Sequence, residues 1–319
     1  MELTSEVVSS MAIGAVFKDF DGKKINSLDF HRTEDRLVTA SDDEAIRLYD
    51  TANAKWLKTI HSKKYGVDKI VFTHHRDSVL YSSKNGWDES LRYLSLHNNS
   101  YLRYFKGHRD RVVSLCMSPK NDMFMSGSLD HTVRLWDLRS NACQGLMRVR
   151  GRPAVAYDEQ GLVFAVSMEG GAIKLFDVRS YDKGPFDTFL VGGDTAEVTS
   201  MKFSNDGKHM LLSTANSWLY VLDAFEGHKL HTFELQPVEG GGTLEASFSP
   251  NGQFIVSGSG DGTIRVWSVE SGTEVACWVG HAGVPAKVKW APRRMLVASA
   301  SEVLAFWIPD LNRIAGFGT

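Results

Sequence analysis

The stretch SGSLDHTVRLWDLRS (Ser126–Ser140) joins a run of small residues, an aspartate turn and a strand that ends in Trp136-Asp137. Its strand reads as a β-branched residue, a polar residue, an apolar residue, an aromatic or leucine, then usually Asp. Close variants recur as IRLYD (Ile46–Asp50), LRYLS (Leu91–Ser95), IKLFD (Ile173–Asp177), LYVLD (Leu219–Asp223), IRVWS (Ile264–Ser268) and LAFWI (Leu304–Ile308). The fourth position of each is Tyr49, Leu94, Trp136, Phe176, Leu222, Trp267 and Trp307, at spacings of 40 to 46 residues. A four-stranded propeller blade repeats every ~40–45 residues, whereas a kelch blade needs about 50.

Other registers agree. Six residues before each anchor stand Asp43, Asp88, Asp130, Gly170, Asn216, Asp261 and Ser301, mostly side chains that close tight turns by bonding the backbone. Asn205-Asp206-Gly207 and Asn251-Gly252 mark hairpins between earlier strands. These features predict an all-β, seven-bladed β-propeller forming a single domain over residues 1–319. Pro309 follows Trp307 too closely for a further strand, while Met11 to Lys18 reads as a strand ahead of the first blade. That N-terminal strand is predicted to complete the last blade, closing the ring and removing its open edge.

Composition bounds the function. Lys plus Arg total 36 and Asp plus Glu 38, a formal net charge of −2, which excludes binding to nucleic acid through bulk charge. Cys116, Cys143 and Cys277 have neither the number for a disulfide framework nor metal-ligand spacing. An intracellular, reducing compartment is expected. The start MELTSEVVSS lacks the regions of a signal peptide, and no apolar run approaches the ~18 residues of a membrane span, so no membrane contact is expected. Phosphate-loop, His-Glu-x-x-His and dinucleotide fingerprints are absent. The expectation is a non-catalytic protein without cofactor or metal.

Gly107-His108, Ser126, Asp130 and Trp136-Asp137 together resemble a WD repeat. The resemblance implies a buried chain of hydrogen bonds through His108, Ser126 (or Ser128, on the same strand face), Asp130 and Trp136, a structural role and not a hydrolase triad. Further stretches are similar to the WD-repeat subunits of COMPASS histone-lysine methyltransferase complexes. They include Lys63-Lys64-Tyr65-Gly66-Val67-Asp68, Arg92 to His97, Ser126 to Ser140, Cys143 to Met147, Asp182 to Phe186, Phe203 to Lys208 and Leu244 to Phe248. This likeness implies a nuclear adaptor, monomeric within a hetero-complex that methylates histone H3 lysine-4. Its implied partners are the methyltransferase catalytic subunit, the phosphorylated tail of RNA polymerase II, and scaffold subunits of termination, 3′-end-processing or phosphatase complexes.

Charge is uneven among the loops that lead into the blades. Three neighbouring junctions carry Lys63 and Lys64, Arg109 and Arg111, then Arg150 and Arg152, while the next three hold Gly192-Gly193-Asp194, Pro237 to Gly240 and Gly280 to Gly283. Arg grips phosphate with parallel donors and Lys adds a point charge. With Tyr65 beside the lysines, this sector is the expected site for a phosphorylated extended peptide, with RNA as the alternative ligand. A competing signal is the pair of Asp-x-Arg endings, Asp137/Arg139 and Asp177/Arg179. They resemble the adaptor-docking motif of cullin ubiquitin-ligase substrate receptors.

Overall fold

The structure, a computed structural model, describes residues 2–191 and 197–314. Its strands form seven four-stranded antiparallel sheets. Blade 3 shows the plan: Val112–Met117 innermost, then Met123–Ser128, Thr132–Asp137 and the outer strand Cys143–Arg148. The innermost strands of consecutive blades contact one another around the whole ring, from Ile25–Phe30 in blade 1 to Lys287–Trp290 in blade 7 and back.

The ring resolves the size problem of a long chain with one core. Apolar residues gather in seven separate clusters, each filling the wedge between two neighbouring sheets. The recurring anchors sit in these wedges: Trp136 and Trp307 are essentially inaccessible and Trp267 is buried. Each wedge is about one blade thick, so burial grows by adding blades and not by thickening a single core.

Closure follows the expected route. Met11–Phe17 pairs antiparallel with Leu304–Pro309 as the outer strand of blade 7. The register slips at Gly14, where a side chain would meet Ile308 Cδ1 at 2.7 Å, so a bulge and a glycine coincide. Ahead of it lies a short helix, Ser5–Ser9, capped by Thr4. Leu3, Val7 and Val8 pack among Trp278, Trp290 and Trp307, and the Trp278 indole donates to the Val8 carbonyl at 3.0 Å. The N-terminus therefore clamps blades 6 and 7 together as well as closing the sheet. No helix is long and apolar enough to cross a membrane among the described residues.

Candidate functional site: an arginine groove between blades 3 and 4

The site begins with the hydrogen-bonded chain in blade 3. The Trp136 indole donates to Ser126 Oγ at 2.8 Å, and Ser126 lies 2.7 Å from His108 Nε2. The other ring nitrogen, Nδ1, is 3.0 Å from Asp130 Oδ2. An ionised Asp130 can only accept, so Nδ1 carries the proton and Nε2 accepts from the serine hydroxyl. The serine in the chain is Ser126; Ser128 instead donates to the Asp110 carbonyl at 2.7 Å. Burial pushes the His108 pKa below 6.5, against the pull of Asp130. Burial also pushes Asp130 upward, but bonds from Thr132, the Arg109 N–H and His108 outweigh it and hold the carboxyl at about 2. Ser126 is fully buried and its hydroxyl bridges two structural partners, so the grouping is a strut and not a nucleophile.

This strut has an electrostatic consequence. In three other blades the turn aspartate pairs with an arginine four residues on: Asp43 with Arg47, Asp88 with Arg92 at 3.0 Å, and Asp261 with Arg265 at 3.2 Å. Blade 3 has the same pair of residue types, Asp130 and Arg134. There, however, His108, Thr132 and the Arg109 backbone occupy the carboxylate. Arg134 has no carboxylate partner among the described residues, and its guanidinium lies 6.0 Å from the Trp136 ring centroid. Gly107 permits this approach, because a Cβ there would run into Arg134 Nη1 and the Trp136 ring.

The released guanidinium lines a groove of about 630 Å³ with Arg109, Arg148 and Arg150. Arg109 comes from the loop into blade 3, and Arg150 from the loop into blade 4. Arg148 comes from the end of the outer strand, opposite Thr132 across the ladder. His131, Thr132, Leu146 and the carboxylates of Asp130 and Glu169 complete the walls. Arg109, Arg148 and Arg150 are exposed and make no ion pair among the described residues. Four guanidiniums against two carboxylates, one of them already committed to the strut, suit an anion with several acceptor oxygens.

The other predicted residues divide. Arg111 pairs with buried Asp68 at 2.7 Å and Arg152 with Glu197 at 3.4 Å, so both are partly neutralised. Lys63, Lys64 and Tyr65 form a second centre on blade 2, where the Arg92 guanidinium lies 3.5 Å over the Tyr65 ring and Lys64 lies 5.2 Å from it. Tyr101 meets Tyr65 edge-on at 6.5 Å, widening this aromatic surface. Of the Asp-x-Arg endings, Arg139 binds its own Asp137 at 2.7 Å, whereas the Arg179 backbone N–H alone reaches Asp177. The Gly192-Gly193-Asp194 junction lies outside the described residues. Arg134 and Arg148 escaped the sequence reading. The Asp-x-x-x-Arg spacing shared by four blades, read beside the Gly-His unique to blade 3 among them, was the available signal for Arg134.

Among the described residues no three His, Cys, Asp or Glu side chains gather as a metal site. In comparison with known proteins, the WD domain, G-beta repeat family matches residues 14–50, 99–137 and 236–268. The chain is 61% identical over 312 residues to Protein ANTHESIS POMOTING FACTOR 1 of Arabidopsis thaliana, spanning 97% of this chain and 94% of that protein. It is 46% identical to WD repeat-containing protein 82 of Drosophila melanogaster, over 97% of this chain and 98% of that one. The chain belongs to this family of WD-repeat proteins. COMPASS component SWD2 of Saccharomyces cerevisiae is a further relative, 33% identical over 90% of this chain and 91% of its own. The protein is a WD-repeat propeller.

Proposed function

We propose that this protein is a nuclear adaptor subunit of a COMPASS-type histone H3 lysine-4 methyltransferase complex. In this reading it couples the complex to transcribing RNA polymerase II by holding the polymerase's phosphorylated tail in the arginine groove. Similarity to COMPASS component SWD2 along nine-tenths of both chains supports the assembly. The observation that carries the coupling role is Arg134, displaced from its aspartate by His108 and aligned with Arg109, Arg148 and Arg150 around one groove. The Lys63-Lys64-Tyr65 centre offers a second contact for an extended peptide. Termination, 3′-end-processing and phosphatase scaffolds are further proposed partners of the same adaptor.

The test is a titration of the purified protein with matched phosphorylated and unmodified polymerase-tail peptides. The variants are Arg109→Glu with Arg150→Glu, and separately Lys63→Glu with Lys64→Glu. Loss of charge-assisted contacts in the groove should weaken the phosphorylated peptide at least ~10-fold, with affinity also falling as salt rises. Equal affinities for both peptides and all variants would remove the groove from the mechanism. An RNA oligonucleotide that binds the wild type more tightly than the phosphorylated peptide would reassign the sector to nucleic acid. Co-purification of the endogenous protein with a cullin adaptor, and not with methyltransferase subunits, would favour Asp137, Arg139, Asp177 and Arg179 as the docking site.

A further inference from the structure

The ring brings four lysines from distant parts of the chain to its central channel. Lys69 leads into the innermost strand of blade 2, Lys202 lies on that of blade 5, and Lys287 and Lys289 lie on that of blade 7. They line a cavity of about 370 Å³ together with Arg32 and three carboxylates, Asp29, Glu159 and Glu245. All three acids are already used: Glu159 pairs with Arg32 at 2.7 Å. Glu245 Oε1 takes Lys287 at 2.7 Å and Lys69 at 3.3 Å. Asp29 pairs with Lys289 through one oxygen and accepts the Phe72 N–H through the other at 2.7 Å.

Lys202 is left with a neutral partner, the Ala246 carbonyl at 2.7 Å. Lys202 is half-buried; cations withdrawn from water are ordinarily balanced by a counter-charge, and this channel holds two more positive side chains than negative ones. We propose that the central channel is a binding site for a free tetrahedral oxyanion, phosphate or sulfate, seated against Lys202. A dianion would cancel the excess and supply acceptor oxygens to Lys202 and its neighbouring ammoniums. Burial, followed by repulsion from Lys289 and Lys287, lowers Lys202 to about 8, while Glu245 and Asp29 pull the other way. An anion beside it would relieve that repulsion. The site is separate from the arginine groove and does not depend on its ligand.

Isothermal titration of the intact protein with sodium sulfate and with inorganic phosphate, at ionic strength matched by chloride, tests the proposal. Saturable binding of one ion per chain in the channel is expected, separated from any binding in the arginine groove by the variants. Lys202→Met should lose about tenfold or more in affinity, the cost of one charged hydrogen bond. The substitution removes a half-buried cation that has no carboxylate partner among the described residues, so the fold should tolerate it, and a thermal melt checks that it does. In Arg109→Ala with Arg150→Ala, which disables the arginine groove as a second anion site, one ion per chain should still bind, and adding Lys202→Met should remove that event. Sulfate keeps its charge between pH 7 and 9, so its affinity should fall across that range as Lys202 gives up its proton. Arg32, Lys69, His74, Tyr157, Lys287, Lys289, Asp29, Glu159, Glu245 and Cys116 also face the channel, and burial pushes the Cys116 thiol up to about 11. Absence of saturable binding, full affinity in Lys202→Met, or loss only in the arginine variant would overturn the assignment.

Discussion

Replacing Asp130 with alanine should destabilise the propeller far more than the same change at Asp261, although both occupy the same position in their repeats. Asp130 accepts from His108 Nδ1 at 3.0 Å, from the Arg109 N–H at 3.0 Å, and from Thr132 through its N–H at 2.9 Å and its hydroxyl at 2.6 Å. Its side chain is 8% exposed, against 32% for Asp261. Water can replace the lost partner at Arg109 and part of that at Thr132, but not at His108, which is buried in the strut. An orphaned buried donor costs about 1–3 kcal/mol, and the remaining bonds add roughly 1 kcal/mol, for a total near 3 kcal/mol. At about 2 °C per kcal/mol for a large chain, the melting temperature should drop by ~6 °C. Asp261 bonds Thr263 and Arg265 in the open, so its loss should cost less than about 1 kcal/mol. Asp130→Asn, which keeps a carbonyl acceptor for His108, should fall between the two. Calorimetry at pH 7.5 on the three variants decides. Equal losses at Asp130 and Asp261 would refute the strut as the source of the difference.

Deleting residues 1–18 removes both the closing strand and the buried Leu3, Val7, Val8 and Met11. At ~1.5–3 kcal/mol per buried side chain, the loss should exceed about 10 °C in melting temperature or yield an aggregating chain. Analytical ultracentrifugation beside calorimetry would show it, and a soluble monomer with an unchanged melt would contradict the clamp. In blade 7, Ser299 bridges His281 and Trp307, with Ser301 standing where blade 3 has its aspartate. Burial without a facing carboxylate lowers His281 from 6.5 to about 4. The unfolded chain therefore takes up this proton first. Stability from His281 is full above pH 6.5 and falls as pH drops toward 4, by up to roughly 3 kcal/mol. Urea midpoints between pH 7.5 and 4.5 should decline less steeply in His281→Gln, and parallel slopes would exclude His281 as the cause.

The amino-acid sequence by itself determined the number of blades, their strands and the route of closure. Those properties are local: a period-two strand, an aspartate turn and an aromatic anchor are each written within one repeat, and repetition multiplies a weak signal. Met11 to Lys18 could be assigned to the last blade because a ring of seven similar sheets leaves one outer position unfilled. Arg109 and Arg150 were legible as basic junction residues for the same reason. Tertiary structure alone decided which aspartate serves which partner, because His108 and Arg134 compete for one carboxylate and the outcome depends on angstrom-scale geometry. It also decided that Arg111 and Arg152 are paired off by Asp68 and Glu197, acids contributed by neighbouring blades. Lys69, Lys202 and Lys287 are scattered along the chain, and no local pattern links them. They meet because every blade sends its innermost strand to the same axis, where charges from all parts of the sequence must balance one another.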